Sequence, residues 1–219
     1  VREGKDPSAR REEMLAEIYN ALRILYGQPP KTFDFEYTDT DKVYHCDRGL
    51  TPKQFLDKYV GSDFDDYAVI IASPIHAVNR TYCQPFMGDV VEDGMFWLNL
   101  SQEELEDLTI RQLQAGEGVM FSCDCHPDGD RANGYWDPDC FQYGEVLGGL
   151  TFGMTKSERL LTRDSTMNHC MMFCGVNLDE NGTANRWKIE NSWGEESGQK
   201  GYYIGSEKWF QANVYQVTV

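Results

Sequence analysis

The spacing of apolar residues changes along this chain, and that change limits the fold classes that the chain can adopt. In the first half, apolar residues recur every three or four positions, as Leu15, Ile18, Leu22 and Leu25 do, which predicts amphipathic helices. Predicted helices cover residues 8–26, 51–61 and 101–116. Predicted strands cover residues 33–37, 67–72, 119–123, 168–178, 185–191, 201–205 and 214–219. The sequence therefore predicts an α+β fold, mainly helical over 1–118 and antiparallel and β-rich over 119–219.

Size and charge exclude two classes of protein. The chain has 219 residues, enough for one domain with a sizeable core, and a net charge of −16. Because excess carboxylates repel a phosphate backbone, we expect no nucleic-acid partner. No run approaches the ~18 apolar residues of a membrane helix, so we expect no membrane partner. An odd count of seven cysteines and a polar N-terminus without a signal peptide predict reduced thiols and a cytoplasmic location.

Two segments at the strand-rich end carry candidate chemistry. Asn168-His169-Cys170 opens one predicted strand and Asn191-Ser-Trp193-Gly194 ends the next, so His169 and Asn191 are expected side by side across a hairpin. A thiol nucleophile needs a base that takes its proton, and the base needs an acceptor that orients it. The resulting thiolate–imidazolium pair lowers the thiol pKa below its free value of ~8.5. We predict His169 and Asn191 as catalytic residues and Trp193 as their active-site support; a structural histidine beside a simple turn is the alternative.

These segments resemble the C-terminal half of a papain-like cysteine peptidase. The resemblance rests on His169 in its apolar strand, on Glu190-Asn-Ser-Trp-Gly194 and on Lys200-Gly-Tyr-Tyr203. The bleomycin hydrolase / aminopeptidase C branch is the more similar one, through segments spread over the chain: Pro29-Pro-Lys-Thr-Phe-Asp-Phe-Glu-Tyr37, Leu50-Thr-Pro52, Lys58-Tyr-Val-Gly61, Arg186-Trp-Lys-Ile-Glu-Asn-Ser-Trp-Gly-Glu195, Lys208-Trp-Phe210 and Tyr215-Gln-Val217. The chain is identified as a member of this family, corresponding to its C-terminal part.

The resemblance implies a cysteine aminopeptidase that removes N-terminal residues from peptides without a cofactor or metal. In it His169 is the base and acid, Asn191 orients His169, and Trp193 shields the pair. The resemblance also implies a homo-hexamer with its active sites facing an internal chamber. Cys46 is the cysteine closest to the expected position of the nucleophile, but it lacks the Cys-Trp signature and an upstream Gln. We therefore expect the nucleophile to lie upstream of Val1 and this chain alone to be inactive; a non-catalytic fragment or degenerate paralogue with a binding or assembly role is the alternative.

Other cysteine and acidic clusters invite different interpretations. A group with zinc-type ligands lacks the spacing of a zinc knuckle: Cys123, Cys125, His126 and Cys140. Five acidic residues recur in and before the loop that follows: Asp124, Asp128, Asp130, Asp137 and Asp139. We expect these to form a solvated rim that attracts a peptide α-amino group rather than a calcium site. Cys170 and Cys174 lie four residues apart in one strand, so they face the same side and are expected to fill the core.

Overall fold

The computed structural model describes residues 7–61, 66–84 and 95–219 and contains both helices and strands. The helices are α1 (Pro7–Tyr26), α2 (Pro52–Phe55), α3 (Gln102–Gln114), α4 (Tyr143–Val146), α5 (Lys156–Thr162) and α6 (Glu207–Asn213), with a π-helical turn (Leu56–Val60) after α2 and a 3-10 turn (Pro138–Cys140). The strands are β1 (Phe33–Thr38), β2 (Tyr44–Leu50), β3 (Val69–Ile71), β4 (Arg80–Gln84), β5 (Met95–Asn99), β6 (Val119–Cys123), β7 (Gly129–Asp130), β8 (Tyr135–Trp136), β9 (His169–Leu178), β10 (Ala184–Glu190), β11 (Tyr202–Ser206) and β12 (Val214–Thr218). Among the helices of these described ranges, none is long and apolar enough to cross a membrane.

The chain forms two compact units, residues 1–64 and 65–219. In the first unit β1 and β2 pair antiparallel, and Phe35 packs its ring against Phe55 and Tyr59 at centroid distances of 4.8 and 4.7 Å. The second unit contains a ten-stranded mixed sheet in the order β4-β5-β3-β12-β6-β9-β10-β11-β8-β7. Both candidate catalytic residues belong to this second unit.

The centre of the second unit is the β9–β10 hairpin and the helix that packs on it. The hairpin turns where the Asp179 carboxylate accepts hydrogen bonds from the amides of Asn181 and Thr183, as Asx turns do. Beyond the turn the strands alternate, so that one face of the hairpin points into the core. Aromatic side chains from that face and from α6 form the buried centre: Phe173, Trp187, Trp209 and Phe210.

The α+β class predicted from the sequence is confirmed, and so are the antiparallel pairings of the strand-rich end. The division expected at residue 118 stays a prediction; the described part of residues 1–118 contains five strands besides its helices. Strand β4 escaped prediction since it lies at the sheet edge with Thr81 and Cys83 exposed, which leaves little apolar pattern. The turns expected at Gly88 and at Asp93-Gly94 lie outside the described residues.

One expectation about burial needs correction, and one predicted apolar helix face lies at the surface. Cys170 and Cys174 are exposed rather than core residues, because β9 turns Met171 and Phe173 inward and the alternate residues outward. The apolar stripe of α1 is at least 46% exposed at each position within the described part of the chain: Leu15, Ile18, Leu22 and Leu25. Periodicity identified the helix correctly, but it does not specify what covers its apolar face.

Candidate active site

The candidate site lies at the open end of the β9–β10 hairpin, on its core face. His169 is the first residue of β9 and shares a face with Met171, while Asn191 follows β10 and shares a face with Ile189. The Asn191 amide donates to the carbonyl of Gly201, which holds this end of the strand in place. His169 is half-buried and Asn191 is buried. The pairing expected from the sequence is therefore present in the structure.

The hydrogen bonds of Asn191 determine which imidazole nitrogen carries the proton. The backbone N–H of Ser192 can only donate, and it lies 2.8 Å from Asn191 Oδ1. This contact assigns the amide orientation and places the same oxygen 2.8 Å from His169 Nε2. Because Oδ1 only accepts, Nε2 carries the hydrogen and donates it, which leaves the lone pair on Nδ1. Nδ1 is thus the nitrogen that can take a proton from a neighbouring thiol.

Trp193 covers the imidazole. Its ring stacks on that of His169 with centroids 5.0 Å apart and planes 20° from parallel. Trp193 is in turn braced edge-on by Trp136 and Tyr203 at 6.2 and 5.9 Å. An aromatic cover of this kind limits water at the His169–Asn191 hydrogen bond and restricts rotation of the imidazole.

Sequence comparison identifies the family of the chain. A profile of the Peptidase C1-like family matches residues 2–219. The chain belongs to this family. The predicted bleomycin hydrolase / aminopeptidase C membership and the papain-like α+β fold are confirmed by the relatives of this peptidase chain.

These relatives are bacterial aminopeptidases. Aminopeptidase E of Lactobacillus helveticus is 41% identical over 221 residues, which cover 99% of this chain and 50% of that protein. Aminopeptidase C of Listeria innocua serovar 6a is 39% identical over 222 residues, covering 100% of this chain and 50% of that protein. The crystal structure of PepW from Lactobacillus rhamnosis HN001 has a TM-score of 0.90 at 43% identity, covering 97% of this chain and 48% of that one. The chain spans about half the length of the curated relatives it matches.

The thiols around His169 do not supply an evident nucleophile within the described part of the chain. Cys123 is the residue opposite His169 in the β6–β9 ladder, but it is fully buried, and burial raises its pKa far above the ordinary value. Burial also raises the pKa of Cys125. Cys170 points to the other face of β9. Cys46, in the first unit, has its thiol 3.7 Å from the Glu36 carboxylate, whereas a catalytic thiolate is stabilised by a cation.

The groups considered for metal binding do not converge. Cys123 and Cys125 are buried, whereas the His126 side chain is 71% exposed and Cys140 is exposed. Within the described ranges, no three His, Cys, Asp or Glu residues lie close enough to hold a metal ion. The acidic residues of the loop differ in environment: Asp124 is 3% exposed, while Asp139 pairs with Lys208 at the surface. A uniform solvated acidic rim is therefore too simple a description of this loop.

Arg131 is a site residue that the sequence did not identify. Its guanidinium carbon lies 4.7 Å from the centroid of the Trp193 ring, a cation–π contact with the indole that covers His169. Its position in an acidic loop, surrounded by Asp128 and Asp130, was the only signal available, and that signal does not specify a contact sixty residues downstream. The loop thus reaches the site through the Arg131 guanidinium.

Proposed function

We propose that this chain provides the histidine and asparagine of a cysteine aminopeptidase that removes N-terminal residues from peptides. The observation that carries the proposal is the 2.8 Å hydrogen bond from His169 Nε2 to Asn191 Oδ1, with Trp193 stacked on the imidazole. This bond leaves Nδ1 as the basic nitrogen. The names of the relatives, aminopeptidases E and C, support peptide N-termini as the substrate.

In the proposed reaction, His169 first accepts a proton and then donates it, once as the peptide bond is cleaved and once as the thioester is hydrolysed. Nδ1 takes the proton of the cysteine thiol, and the thiolate attacks the carbonyl carbon of the first peptide bond. The imidazolium gives that proton to the departing amine as the C–N bond breaks, which leaves a thioester. Nδ1 then deprotonates a water that attacks the thioester, and the amino acid leaves as the thiol regains its proton. Asn191 keeps Nε2 protonated throughout, so Nδ1 always faces the reacting atoms.

The nucleophile in this proposal comes from outside the 219 residues. Two observations support this: the accessible thiols described above lack the environment of a catalytic cysteine, and the chain spans about half of its relatives. The half of those relatives that this chain does not match corresponds to the segment in which the proposal places the cysteine. The same proposal assigns no cofactor to the site.

The remaining features of the complete enzyme are also proposals. We propose a homo-hexamer in the cytoplasm, on the resemblance to the bleomycin hydrolase branch and on six free thiols that suit a reducing compartment: Cys46, Cys123, Cys125, Cys140, Cys170 and Cys174. The net charge of −16 supports a partner set of peptides without nucleic acid. Light scattering of the complete enzyme tests the assembly directly, since a monomeric mass contradicts it.

The test of the reaction uses the complete enzyme and an aminoacyl-coumarin substrate. His169→Ala removes the base, so kcat/KM should fall on the order of 10³-fold or more. Asn191→Ala leaves the base but not its orientation, so the loss should be smaller, on the order of 10²-fold. His76→Ala is the matched control, because His76 bonds Ser73 in a separate loop and should retain activity.

Circular dichroism of each variant shows whether the fold survives. Near-normal turnover by a folded His169→Ala enzyme would rule out the cysteine-peptidase mechanism. Absence of turnover in the folded, unsubstituted complete protein would instead leave the non-catalytic role, in binding or assembly, as its function.

A further inference from the structure

Asp124 is a buried carboxylate that the peptidase mechanism does not use. It follows β6, next to the residue that faces His169 across the ladder, and only 3% of it is exposed. The imidazole of His126 lies beside this carboxylate, with its Nδ1 3.9 Å from Asp124 Oδ1, too far for a hydrogen bond. A buried carboxylate without a close ion pair must be stabilised by hydrogen-bond donors.

Those donors come mainly from the segment that leads into His169. Asn168 Nδ2 donates to Asp124 Oδ1 at 2.6 Å, and Ser165 Oγ donates to Oδ2 at 2.8 Å. The Thr166 amide approaches Oδ2 at 3.4 Å. Three of the four residues before His169 therefore bond one carboxylate. The fourth hydrogen-bond donor to this carboxylate is the backbone amide of His126, which lies 3.2 Å from Asp124 Oδ1. It belongs to the residues that follow Asp124 itself.

The same segment is bonded from its other side. Asn168 Oδ1 accepts from the Cys125 amide at 3.0 Å, and the Asn168 amide donates to the Cys123 carbonyl at 3.0 Å. Because Ser165 gives its proton to Asp124, the Tyr215 hydroxyl, 2.8 Å from Ser165 Oγ, must donate to it. This segment, residues 165–168 and called the lead-in below, is thus fixed at both ends. The next residue, His169, is the proposed base.

We propose that Asp124 is a positioning residue for His169: its carboxylate holds residues 165–168 so that the imidazole meets Asn191 with Nδ1 facing the reacting atoms. This inference deepens the proposed function and rests on it for the catalytic consequence. Its structural part, the control of imidazole orientation, is measurable without turnover. Asp124 touches no reacting atom in this role; it acts through Asn168 and the backbone.

The first experiment measures imidazole orientation by ¹H–¹⁵N NMR of the 219-residue chain, with the four histidines assigned by means of His169→Ala. The native chain should show His169 as a single tautomer with hydrogen on Nε2. Asp124→Asn replaces one acceptor oxygen by an NH₂ group, which cannot accept from Ser165 or Asn168. The imidazole then loses its fixed orientation, so His169 should show a mixture of tautomers. Asp128→Asn is the matched control, since Asp128 is a partly buried carboxylate of the same loop that bonds Asn213 and not the lead-in.

A reciprocal exchange separates positioning from simple loss of stability. Asp124→Asn combined with Asn168→Asp restores a donor–acceptor pair between the two side chains with the charge retained. This double variant should recover the Nε2–H tautomer. In the complete enzyme, Asp124→Asn should lower kcat about 10- to 100-fold with KM changed less than about twofold, and the exchange should recover most of that loss.

The outcomes distinguish the two proposals. A folded Asp124→Asn chain with an unchanged His169 spectrum, or an equal change in Asp128→Asn, would overturn the positioning role. If Asp124→Asn does not fold, Asn168→Ser at the exposed end of the contact takes its place, and an unchanged His169 spectrum there has the same meaning. Full activity in His169→Ala would instead overturn the proposed function and leave the NMR result standing.

Discussion

Individual cysteines in this chain differ in exposure in a way that chemistry can measure. Cys140 and Cys170 are exposed, whereas Cys123 and Cys125 are at most 4% exposed. Brief alkylation of the native chain should therefore modify the first two and spare the second two, because a reagent in solution does not reach a buried thiol. Peptide mapping by mass spectrometry gives the extent at each site. Rapid native modification of Cys123 would contradict the burial on which its exclusion as nucleophile depends.

Among the described lysines whose pKa is shifted, Lys156 has the most deeply buried ammonium group. Its Nζ lies 2.7 Å from Gln102 Oε1 and 3.0 Å from the Gln211 carbonyl, and 4.4 Å from the centroid of the Tyr215 ring. Burial, helped by the positive charge of Arg159, lowers the pKa of Lys156 from 10.5 to about 7. At pH values between about 7 and 10.5, Lys156 is protonated in the unfolded chain and neutral in the folded chain.

The free energy of unfolding should therefore rise with pH across that window, by up to about 1.4 kcal/mol per unit from this group. Lys156→Met removes the effect, so the native chain should gain stability relative to this variant between about pH 7 and about pH 10. Lys188→Met is the matched control, because Lys188 also lies over a tyrosine ring but is exposed. Urea unfolding at several pH values measures both differences; a flat difference for Lys156→Met contradicts the prediction.

At the scale of elements, the connection from β10 to β11 depends on a glycine in a crowded place. Gly198 has φ +59°, and a Cβ added there would lie 2.6 Å from the Tyr202 carbonyl oxygen. Gly182, in the β9–β10 turn, has φ +82° with open space around it. Both Gly→Ala changes should cost about 1–2 kcal/mol for the left-handed backbone, and Gly198→Ala about 1–3 kcal/mol more for the clash. Equal losses in urea unfolding would show that the connection relaxes around the added methyl group.

The hairpin was predictable because its signals are local. His169 and Asn191 sit at strand ends with a turn between them, so one short stretch of sequence determines the pairing. The inward face of β9 was not predictable, because Cys170, Met171 and Met172 are all apolar and alternation cannot select between two apolar faces. The Asp124 contacts were missed for a different reason, since they join residues about forty positions apart whose types are common in solvated loops.

At the scale of the whole molecule, the chain shows which parts of a peptidase site can be built from one segment. The proposed base His169, its hydrogen-bond partner Asn191 and the stacked ring of Trp193 all lie in the second compact unit, residues 65–219. The sequence pattern led to the prediction of these three residues and of the family. Neither the pattern nor the described structure contains a residue that fits the nucleophile. The proposed reaction is therefore assigned to a complete enzyme that also contains the cysteine.

This division gives a direct expectation for the 219-residue chain on its own. It should not hydrolyse an aminoacyl-coumarin, and an epoxysuccinyl reagent should not label it stoichiometrically, because the proposed mechanism takes its nucleophile from outside these residues. Fluorescence and intact-mass measurements test the two statements. Hydrolysis that disappears in Cys46→Ser would place the nucleophile inside the chain and contradict the proposal.

The hairpin also sets an order of events in time. His169 and Asn191 are separated by 22 positions, whereas Asp124 and Ser165 are separated by 41. A hairpin closes in about 1–10 μs, and contacts of longer range wait for larger loops to close. We expect the imidazole and its amide partner to meet early in refolding, and the lead-in to become fixed only when β6 docks on β9. The site would thus exist first as a loose pair and acquire its precise orientation as one of the later steps of folding.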